Sequence, residues 1–389
     1  MRSKATAKPV VYLISSAGNP NYGDELITAG WLRHYARSLP DAEVWLDTPR
    51  PGQTAVLMDG LHPNLRCVDT LFHASWNAPF EPAVDTLDFG GRVISDPHLV
   101  PREVTGVENL SRVDLVHILG GGYINQIWPQ HLSLIASARS MAAKYGTRTA
   151  LTGAGLMPLA EGSREPMSAL LSRFDVVDVR DEPSRAAVAD SAPRVTMTGD
   201  DTLMSLAGSR MFGAEGAART MLCLQSDQLH VGLDQLADYV VRTLRAWGVD
   251  QDPMTLVECL PPDDVAVLPL LQEELPQLKV LPFSRLWRSG FPAGQGQRWV
   301  STRFHPHLVA AAVGSWGLAV PISEDYYRTK HESLVELGSG WSVATDLDQP
   351  LPAGDPPTAP FSGRLPALRA TKQRVAEQVS LLARVGPVR

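Results

Sequence analysis

The feature of this sequence that most constrains its fold is a repeated alternation of short apolar runs and helical patterns. The apolar runs lack the period-two alternation of a strand with one solvent-exposed face. They therefore predict strands of a parallel sheet that helices cover on both faces. Such runs lie at residues 10–15, 42–47, 113–119, 148–152, 175–179 and 194–197, and then at 219–225, 255–260, 298–301 and 318–322. Helical patterns lie at 24–38, 131–145 and 232–247, near 265–275, and from 307 onward. The sequence therefore predicts an α/β fold with two Rossmann-like domains facing across a cleft.

The domain boundaries follow from the places where the alternation breaks. The segment at 207–216 is rich in small residues and is the best candidate for a linker. The predicted parts are an N-terminal α/β domain at 1–206, a C-terminal α/β domain at 217–348, and a final segment at 349–389. That segment has a Pro-rich stretch and an amphipathic helix at 365–385, which we expect to pack back on the first domain. Because ligands of such folds bind outside the carboxyl ends of strands, the strand-end loops are where we expect the chemistry.

Composition narrows the class of protein. The chain of 389 residues carries 35 Lys and Arg against 42 Asp and Glu, a formal charge of −7, so a nucleic-acid partner is not expected. Its three cysteines, Cys67, Cys223 and Cys259, are odd in number and far apart in sequence. That spacing argues against a disulfide framework or a cysteine-based zinc site and fits a reducing compartment. No run reaches the roughly 18 apolar residues that span a bilayer, so we expect a cytoplasmic protein.

The loop after the first predicted strand reads GNPNYGDE at residues 18–25 and leads directly into a helix. An acidic N-cap that stabilises the helix dipole explains either Asp24 or Glu25 well. Two acids beside a Gly/Asn loop at a strand end also suit a catalytic base or a ligand of substrate hydroxyls. The loop does not match the G-x-G-x-x-G pattern of dinucleotide-binding proteins.

Two later strand-end loops are rich in glycine, LGGGY at 119–123 and TGAGL at 152–156. Consecutive glycines cost backbone entropy, so their use indicates close approach by a ligand or by another chain segment. The exposed amides of such a turn bind anions or sugar hydroxyls. A tight turn packed against a neighbouring helix is the alternative.

The next two strand-end loops are charged. Arg180 follows an apolar strand, where its guanidinium suits bidentate binding of a carboxylate or phosphate, whereas a salt bridge to Asp181 is the simpler interpretation. Asp200 and Asp201 follow the next strand, and they are placed to orient that arginine, to bind a metal or to cap a helix.

The densest group of polar residues is RWVSTRFHPH at 298–307. If the segment is extended, Arg303 and His305 point to the same side, which pairs a fixed cation with a group that titrates near neutral pH. Pro306 fixes the chain after His305, and helix amides from His307 onward add a positive end. A structural histidine is the alternative, and zinc is disfavoured because a third ligand is lacking. Downstream, Lys330 adds a further cation for a small polyanion.

Taken in order, these segments resemble the polysaccharide pyruvyl transferase family. The resemblance rests on GNPNYGDEL, LGGGY, TGAGLMPL, VRDEPS, TRFHPHLVAAA and ISEDYYRTKHE, which together cover residues from about 10 to 340. Two departures stand out: Ser301-Thr302 replaces the family's usual Gly-Met, and Met157 replaces a usual Gly. Arg303 and His305 are retained, so we expect these changes to alter acceptor fit rather than abolish activity.

The resemblance implies a fold similar to B-type glycosyltransferases and an enzyme that uses phosphoenolpyruvate to place a pyruvate ketal on a sugar hydroxyl pair. His305 is then the general acid and Asp24 or Glu25 the base. The donor-binding cations are Arg303, Arg180 and Lys330, and the other predicted substrate-binding residues are His307, Gly121, Gly122, Tyr123 and Asn21. Phosphoenolpyruvate is a co-substrate, and no step needs a metal or a cofactor.

The resemblance also implies a carbohydrate partner. The acceptor is a cell-surface glycan, a glycolipid or a nucleotide-linked precursor, and a lipid-linked acceptor would bring the protein to the inner membrane surface. We expect the N-terminal domain to hold the acceptor and the C-terminal domain to hold phosphoenolpyruvate. An apparently irregular stretch at 72–112, with Trp76, is predicted to shape the acceptor site, although core packing explains a single Trp equally well.

Two other functions stay open from sequence. A nucleotide-sugar glycosyltransferase on the same architecture would need a ribose-binding carboxylate, for which Glu332 is a candidate. A non-catalytic glycan-binding or scaffold protein would have no use for converging cations, so retention of Arg303, His305, Arg180 and Lys330 argues against it.

Overall fold

The computed structural model describes residues 8–188, 195–206, 211–213, 217–323, 327–351 and 361–387. Most of the predicted linker at 207–216 and most of the Pro-rich stretch at 349–361 lie outside the described residues, as do residues 324–326 of the last family motif.

The chain divides into two compact units. The first contains the described residues of Met1–Asn19, Asp24–Met204 and Ala370–Arg389, and the second contains those of Pro20–Gly23 and Ser205–Arg369. The short segment Pro20–Gly23 therefore belongs to the second unit, although it lies between two stretches of the first.

The first unit is built on a seven-stranded parallel sheet. Its strands in chain order are β1 Val10–Ile14, β2 Glu43–Asp47, β3 Leu65–Val68, β4 Leu115–Ile118, β5 Arg148–Ala154, β6 Val176–Val179 and β7 Thr196–Met197. They are arranged in the order β3-β2-β1-β4-β5-β6-β7. Strand β3 is not evident from sequence, because its LRCV segment is only half-buried and reads as a mixed polar run.

The second unit carries a six-stranded parallel sheet. Its strands are β8 Thr220–Cys223, β9 Met254–Val257, β10 Leu278–Leu281, β11 Arg298–Ser301, β12 Trp316–Ala319 and β13 Ser342–Val343. The order β10-β9-β8-β11-β12-β13 repeats the doubly wound order of the first sheet, in which the chain reverses its direction of growth beside the first strand. The strands β8 and β9 are nearly fully buried, which explains why their segments are mostly apolar.

Helices connect the strands of both sheets. They are α1 Tyr22–Ser38, α2 Pro51–Leu57, α3 Leu71–Ser75, α4 Ala83–Ser95, α5 Val104–Asn109, α6 Leu132–Tyr145, α7 Arg164–Leu171, α8 Glu182–Val188, α9 Leu233–Ala246, α10 Leu268–Glu274, α11 Phe283–Ser289, α12 Phe304–Ala312, α13 Thr329–Glu336 and α14 Leu365–Val385. Among the described residues, no helix is both long enough and apolar enough to cross a membrane.

The stretch at 72–112 is not irregular, and that prediction was wrong. It contains α4 and α5 and contributes Leu87, Val93 and Ile94 to the core of the first unit. The apolar face of α4 is hard to recognise in the sequence because Gly90-Gly91 interrupts it with two poor helix formers.

The C-terminal helix α14 joins the core of the first unit from Ala370 onward. Its buried face consists of Lys372, Val375, Ala376, Val379, Ser380 and Ala383. The hydroxyl of Ser380 lies 2.8 Å from Nε2 of His34 on α1, so the two helices share a polar contact as well as an apolar one.

Candidate functional site

The polar loops identified in the sequence lie at the carboxyl edges of the two sheets. In the first unit, the loops after the neighbouring strands β1 and β4 lie on either side of the point where the strand order reverses. In the second unit, the loops after β8 and β11 have the same relation. This is the position where doubly wound proteins bind their ligands.

Glu25 is fully buried and does not suit the role of a base. Its Oε1 accepts the N–H of Gly18 at 2.7 Å, and Oε2 has no hydrogen-bond partner among the described residues. Burial raises the pKa of Glu25 to about 8, a rise that the Gly18 bond opposes and the charge of Asp24 reinforces. The carboxyl is therefore mainly protonated at neutral pH, and Glu25 holds the loop at Gly18 in place instead of accepting protons.

Asp24 is half-buried in the first turn of α1 and faces the triple-glycine loop. A Cβ added to Gly121 would lie 3.5 Å from Oδ1 of Asp24. The first unit thus brings together the loops after β1 and β4, as their strand-end positions predict. The role of Asp24 as the base stays a prediction.

The triple-glycine loop uses its amides within the protein. The N–H of Gly120 donates to Asp201 at 3.2 Å, and the N–H of Gly121 donates to the carbonyl of Gly153 at 3.4 Å. A Cβ on Gly120 or Gly153 would lie within 3 Å of the Asp201 carboxylate. Gly120 and Gly153 therefore allow the close approach of another chain segment, the one that carries Asp201. Close approach by a chain segment, rather than by a ligand, was one of the possibilities that the sequence left open. Gly122 is half-buried, and its contact with substrate stays a prediction.

Tyr123 does not present its hydroxyl to a ligand, so its predicted substrate-binding role does not fit. The buried phenol donates to the carbonyls of Leu119 at 2.9 Å and Ile14 at 3.2 Å. Burial, followed by the charge of Asp24, raises the pKa of Tyr123 well above its usual value. Tyr123 fastens the triple-glycine loop to the ends of the two strands that flank it.

Arg180 forms buried ion pairs within the first unit. Its Nε lies 3.2 Å from Asp181 and its Nη1 lies 3.7 Å from Asp200, and only 4% of its side chain is exposed. A Cβ on Gly155 would overlap the guanidinium, so Gly155 makes room for it. The guanidinium of Arg180 is thus engaged by two carboxylates, and its role in donor binding stays a prediction. The expected Arg180–Asp181 salt bridge is present, but it is buried.

His305 lies on a helix and not on an extended segment. Helix α12 begins at Phe304, three residues before the predicted start, and Arg303 is its N-cap with extended dihedrals. Pro306 fits within the first turn because the N–H that it lacks would have no partner there. The inference that Arg303 and His305 share a side by strand alternation was therefore wrong.

The ring of His305 packs against Gly23, which belongs to the same unit. A Cβ on Gly23 would overlap the His305 ring, so no larger residue fits. Tyr22 anchors this segment: its N–H donates to the carbonyl of Cys259 at 2.9 Å and its ring lies 5.2 Å from that of Phe291. Asn21 Oδ1 accepts the N–H of Gly23 at 3.3 Å, which closes the turn. Sequence reasoning did not foresee that the first loop supplies the surface against which His305 rests.

Arg303 is held by two carboxylates of the second unit. Its Nε lies 2.6 Å from Oδ1 of Asp264, and its Nη2 lies 2.6 Å from Oδ1 of Asp227. These contacts leave Nη1 as the nitrogen that the two carboxylates do not engage. Both acids were missed in the sequence, where Asp264 in PPDD resembles an ordinary turn residue.

Lys330 and Arg303 come together at Tyr327. The ammonium of Lys330 lies 5.1 Å from the centre of the Tyr327 ring, and the charge of Arg303 acts on the Tyr327 hydroxyl. Burial raises the pKa of Tyr327 to about 12, so its hydroxyl stays protonated and accepts a bond from Gln225 at 2.8 Å. Both predicted cations therefore act on the same Tyr327, and their role in donor binding stays a prediction.

His307 is part of a buried pair and does not suit substrate binding. Its Nδ1 lies 3.0 Å from Nδ1 of His331, its Nε2 lies 2.9 Å from the hydroxyl of Ser339, and its ring stacks on Trp341. Burial, followed by the neighbouring His331, lowers the pKa of His307 well below its usual value. The side chain packs α12 against α13.

Two of the three cysteines are close in space despite their separation in sequence. The ligand atoms of Cys223, Cys259 and Asp264 lie within 4.8 Å of one another, the only such group of possible metal ligands within the described part of the chain. The Asp264 carboxylate already accepts the N–H groups of Cys259 and Leu260 and pairs with Arg303. Burial raises the pKa of the Cys223 thiol well above its usual value. A guanidinium at the carboxylate and a thiol that resists ionisation both disfavour a metal there.

A cavity of about 540 Å³ in the second unit opens beyond the ends of β12 and β13. Its two arginines are already engaged: Arg242 donates to the carbonyls of Leu347 and Asp348, and Arg328 donates to that of Thr345. Glu332, the candidate ribose ligand, is exposed and lies 3.9 Å from Arg328. The arginines of this cavity fix the chain after β13.

The fold and the strand-end loops define a class: α/β proteins with two Rossmann-like parallel sheets and polar loops at their carboxyl edges. Residues 21–226 match the family model described as polysaccharide pyruvyl transferase, which is more than half of the chain. The chain belongs to that family. The match contains Asp24, the glycine loops and Arg180, and it ends before the segment with Arg303 and His305.

Solved structures support the fold. The chain is similar to a putative UDP-N-acetylglucosamine 2-epimerase from Listeria monocytogenes, with a TM-score of 0.53, 12% identity, and coverage of 96% of this chain and 91% of that one. It is also similar to the UDP-GlcNAc 2-epimerase from Neisseria meningitidis bound to UDP-GlcNAc, with a TM-score of 0.50, 11% identity, and coverage of 97% and 98%. An Os79 variant from O. sativa in complex with UDP gives a TM-score of 0.50 at 15% identity, with 95% of each chain covered. The comparison with curated proteins gives no match. The predicted fold class, two Rossmann-like α/β domains like those of B-type glycosyltransferases, is confirmed.

Proposed function

We propose that this family member transfers pyruvate from phosphoenolpyruvate to a pair of sugar hydroxyls and forms a cyclic ketal. The donor, the ketal product and the sugar acceptor follow from the family resemblance, and the residues below are assigned by chemistry. The acceptor is a glycan or a glycan precursor.

The observation that carries the proposal is the contact between His305 and Gly23. The half-buried imidazole rests on the loop that leads into α1, and Asp24 follows Gly23 by one peptide bond. A histidine, a residue type that serves as a general acid, thus rests on the residue that directly precedes a carboxylate in the chain. Ketal formation needs both an acid and a base.

The donor-binding groups are Arg303 and Lys330. Phosphoenolpyruvate carries a carboxylate and a phosphate, and Arg303 reaches it through Nη1 while Lys330 supplies a point charge. The acids Asp227 and Asp264 offset the arginine charge. We infer that they hold the guanidinium in one orientation and keep donor affinity moderate. We assign the donor to Arg303 and Lys330 because both act on Tyr327, whereas Arg180 belongs to the first unit.

The chemistry balances without a further reactant. His305 gives a proton to the methylene carbon of phosphoenolpyruvate, and positive charge develops at the carbon that bears the phosphate ester. A sugar hydroxyl attacks that carbon and passes its proton to Asp24, and the carbon–oxygen bond to phosphate breaks. The second hydroxyl then attacks the same carbon and closes the ketal. Two hydroxyl protons are released: one leaves with hydrogen phosphate and the other returns to His305.

The catalytic set is therefore smaller than the sequence suggested. Glu25 is protonated at neutral pH, and both Tyr123 and His307 are committed to internal hydrogen bonds. We retain His305 and Asp24 as the acid and the base, and Arg303 and Lys330 as the donor site. Asn21 has a structural role, because its side chain accepts the N–H of Gly23 and so closes the turn beneath His305.

The test uses His305→Ala and Arg303→Met with the full chain. We expect His305→Ala to abolish turnover. The phosphoenolpyruvate concentration that gives the half-maximal thermal shift should change by no more than a few-fold. Arg303→Met should weaken that thermal shift, and the exposed Arg288→Met serves as the matched control. Undiminished turnover in His305→Ala would remove His305 from the chemistry.

A nucleotide-sugar glycosyltransferase would respond differently. It should be stabilised by nucleotide sugars and not by phosphoenolpyruvate, and Glu332→Gln should weaken that response. A non-catalytic glycan-binding protein should be stabilised by glycans alone.

A further inference from the structure

The described part of the chain contains one lysine that is fully buried, Lys372 of α14. Its ammonium lies 2.6 Å from Oδ2 of Asp178, 2.6 Å from the carbonyl of Gly199 and 2.9 Å from Oδ1 of Asp201. Three acceptors satisfy all three N–H groups of the ammonium. Lys372 lies outside every motif that the family resemblance uses.

The network around this ammonium is closed and charge-assisted. Both carboxylates are fully buried, so each would be costly without a cation beside it. The charges of Asp201 and Asp178 favour the ammonium and outweigh the opposing effect of burial, so the pKa of Lys372 lies above its usual value. The lysine is therefore charged at all physiological pH values.

The two carboxylates connect Lys372 with three further elements: the triple-glycine loop after β4, the end of β5, and helix α1. Asp201 Oδ2 accepts from Gly120 of the triple-glycine loop at 3.2 Å and from the hydroxyl of Thr152 in β5 at 2.7 Å. It also accepts from Nε1 of Trp31 in α1 at 2.7 Å. Asp178 Oδ2 accepts from the N–H of Gly153 at 3.3 Å.

We propose that Lys372 is a positioning residue of the pyruvyl transfer reaction, which holds the glycine loop after β4 and the glycine-containing end of β5 in place through Asp201 and Asp178. The C-terminal helix then supports acceptor binding by the first unit, although the family model ends at residue 226. The assignment to the acceptor rests on the proposed function. The positioning of the loops does not.

The experiment compares Lys372→Met, the double variant Lys372→Met/Asp178→Asn, and Lys279→Met as an exposed control. The single variant leaves two buried carboxylates without a cation and is expected to be strongly destabilised or to fail to fold. The double variant removes one charge of each sign, so we expect it to fold. The double variant still lacks the ammonium group that donates hydrogen bonds to Asp201 and to the carbonyl of Gly199.

Hydrogen exchange in peptides covering residues 115–126 and 148–157 provides the direct measurement. In the double variant we expect exchange in both peptides to be roughly ten-fold faster than in the wild type, with exchange across β8–β12 unchanged. The acceptor KM should rise roughly ten-fold, while the phosphoenolpyruvate thermal shift is kept. Lys279→Met should match the wild type throughout.

Equal exchange in the two peptides of the wild type and the folded double variant would overturn the inference, because Lys372 would then only balance charge. Faster exchange with an unchanged acceptor KM would overturn its link to the reaction. If the wild type shows no phosphoenolpyruvate-dependent turnover, the proposed function fails, and the exchange comparison still decides whether Lys372 positions the loops.

Discussion

Replacing Glu25 by Gln tests whether this buried acid is neutral in the folded protein. Burial raises the pKa of Glu25 from 4.5 to about 8. Between those values the unfolded chain has released the proton while the folded chain keeps it. The free energy of unfolding therefore falls with rising pH over that interval, by about 1.4 kcal/mol per pH unit. Over the whole interval this amounts to roughly 5 kcal/mol.

A glutamine at position 25 has no proton to lose and retains an oxygen for the N–H of Gly18. We therefore expect Glu25→Gln to be about as stable as the wild type near pH 5 and more stable at pH 8. The difference should grow by about 1.4 kcal/mol per pH unit between these pH values. Turnover at pH 7 should change by no more than a few-fold, because a neutral group replaces a neutral group.

The assay is urea unfolding at intervals from pH 5 to pH 8, with the exposed Glu161→Gln as the control. The same variants are assayed for turnover at pH 7. A stability difference that does not change with pH would refute the argument that Glu25 is buried and protonated. A loss of turnover of 10²-fold or more in a folded Glu25→Gln would reinstate Glu25 as the base.

Three further predictions follow from individual contacts. Gly23→Ala should lower turnover at least ten-fold with only a modest change in the melting temperature, because its Cβ would displace the ring of His305; turnover equal to the wild type would contradict this contact. Tyr123→Phe should cost about 1 kcal/mol in urea unfolding through the loss of its hydroxyl bonds, with the donor KM unchanged; a large rise in that KM would make it a ligand contact. Incubation with EDTA should leave turnover unchanged, because Arg303 already occupies the carboxylate of Asp264; lost activity that zinc restores would contradict this.

The sequence predicted most of the fold because parallel strands buried on both faces are long apolar runs. The β1 and β8 segments, VVYLI and TMLC, stand out for this reason. Strands β3 and β10 did not, because the segments LRCV and LKVL are exposed in part and carry a charge. Helix α4 was missed because its apolar face is broken by two glycines.

The candidate site was predictable as a set of loops and not as a set of contacts. Strand ends locate residues along the sheet edge, so the pattern placed Asp24 and the triple-glycine loop at the same edge of the first sheet. Which group carries a charge depends on burial, and sequence alone does not reveal that Glu25 is buried. Lys372 left one signal that was overlooked: a lysine on the apolar stripe formed by Val375, Ala376 and Val379.

Pyruvyl transfer is tested by incubating the full chain with phosphoenolpyruvate and a panel of glycans and following both substrates by NMR and mass spectrometry. We expect release of phosphate in a one-to-one ratio with a glycan that carries a new carboxyl-bearing ketal, and loss of both products in His305→Ala. Consumption of a nucleotide sugar with phosphoenolpyruvate left intact, or no thermal shift with phosphoenolpyruvate and no product from any glycan, would contradict pyruvyl transfer.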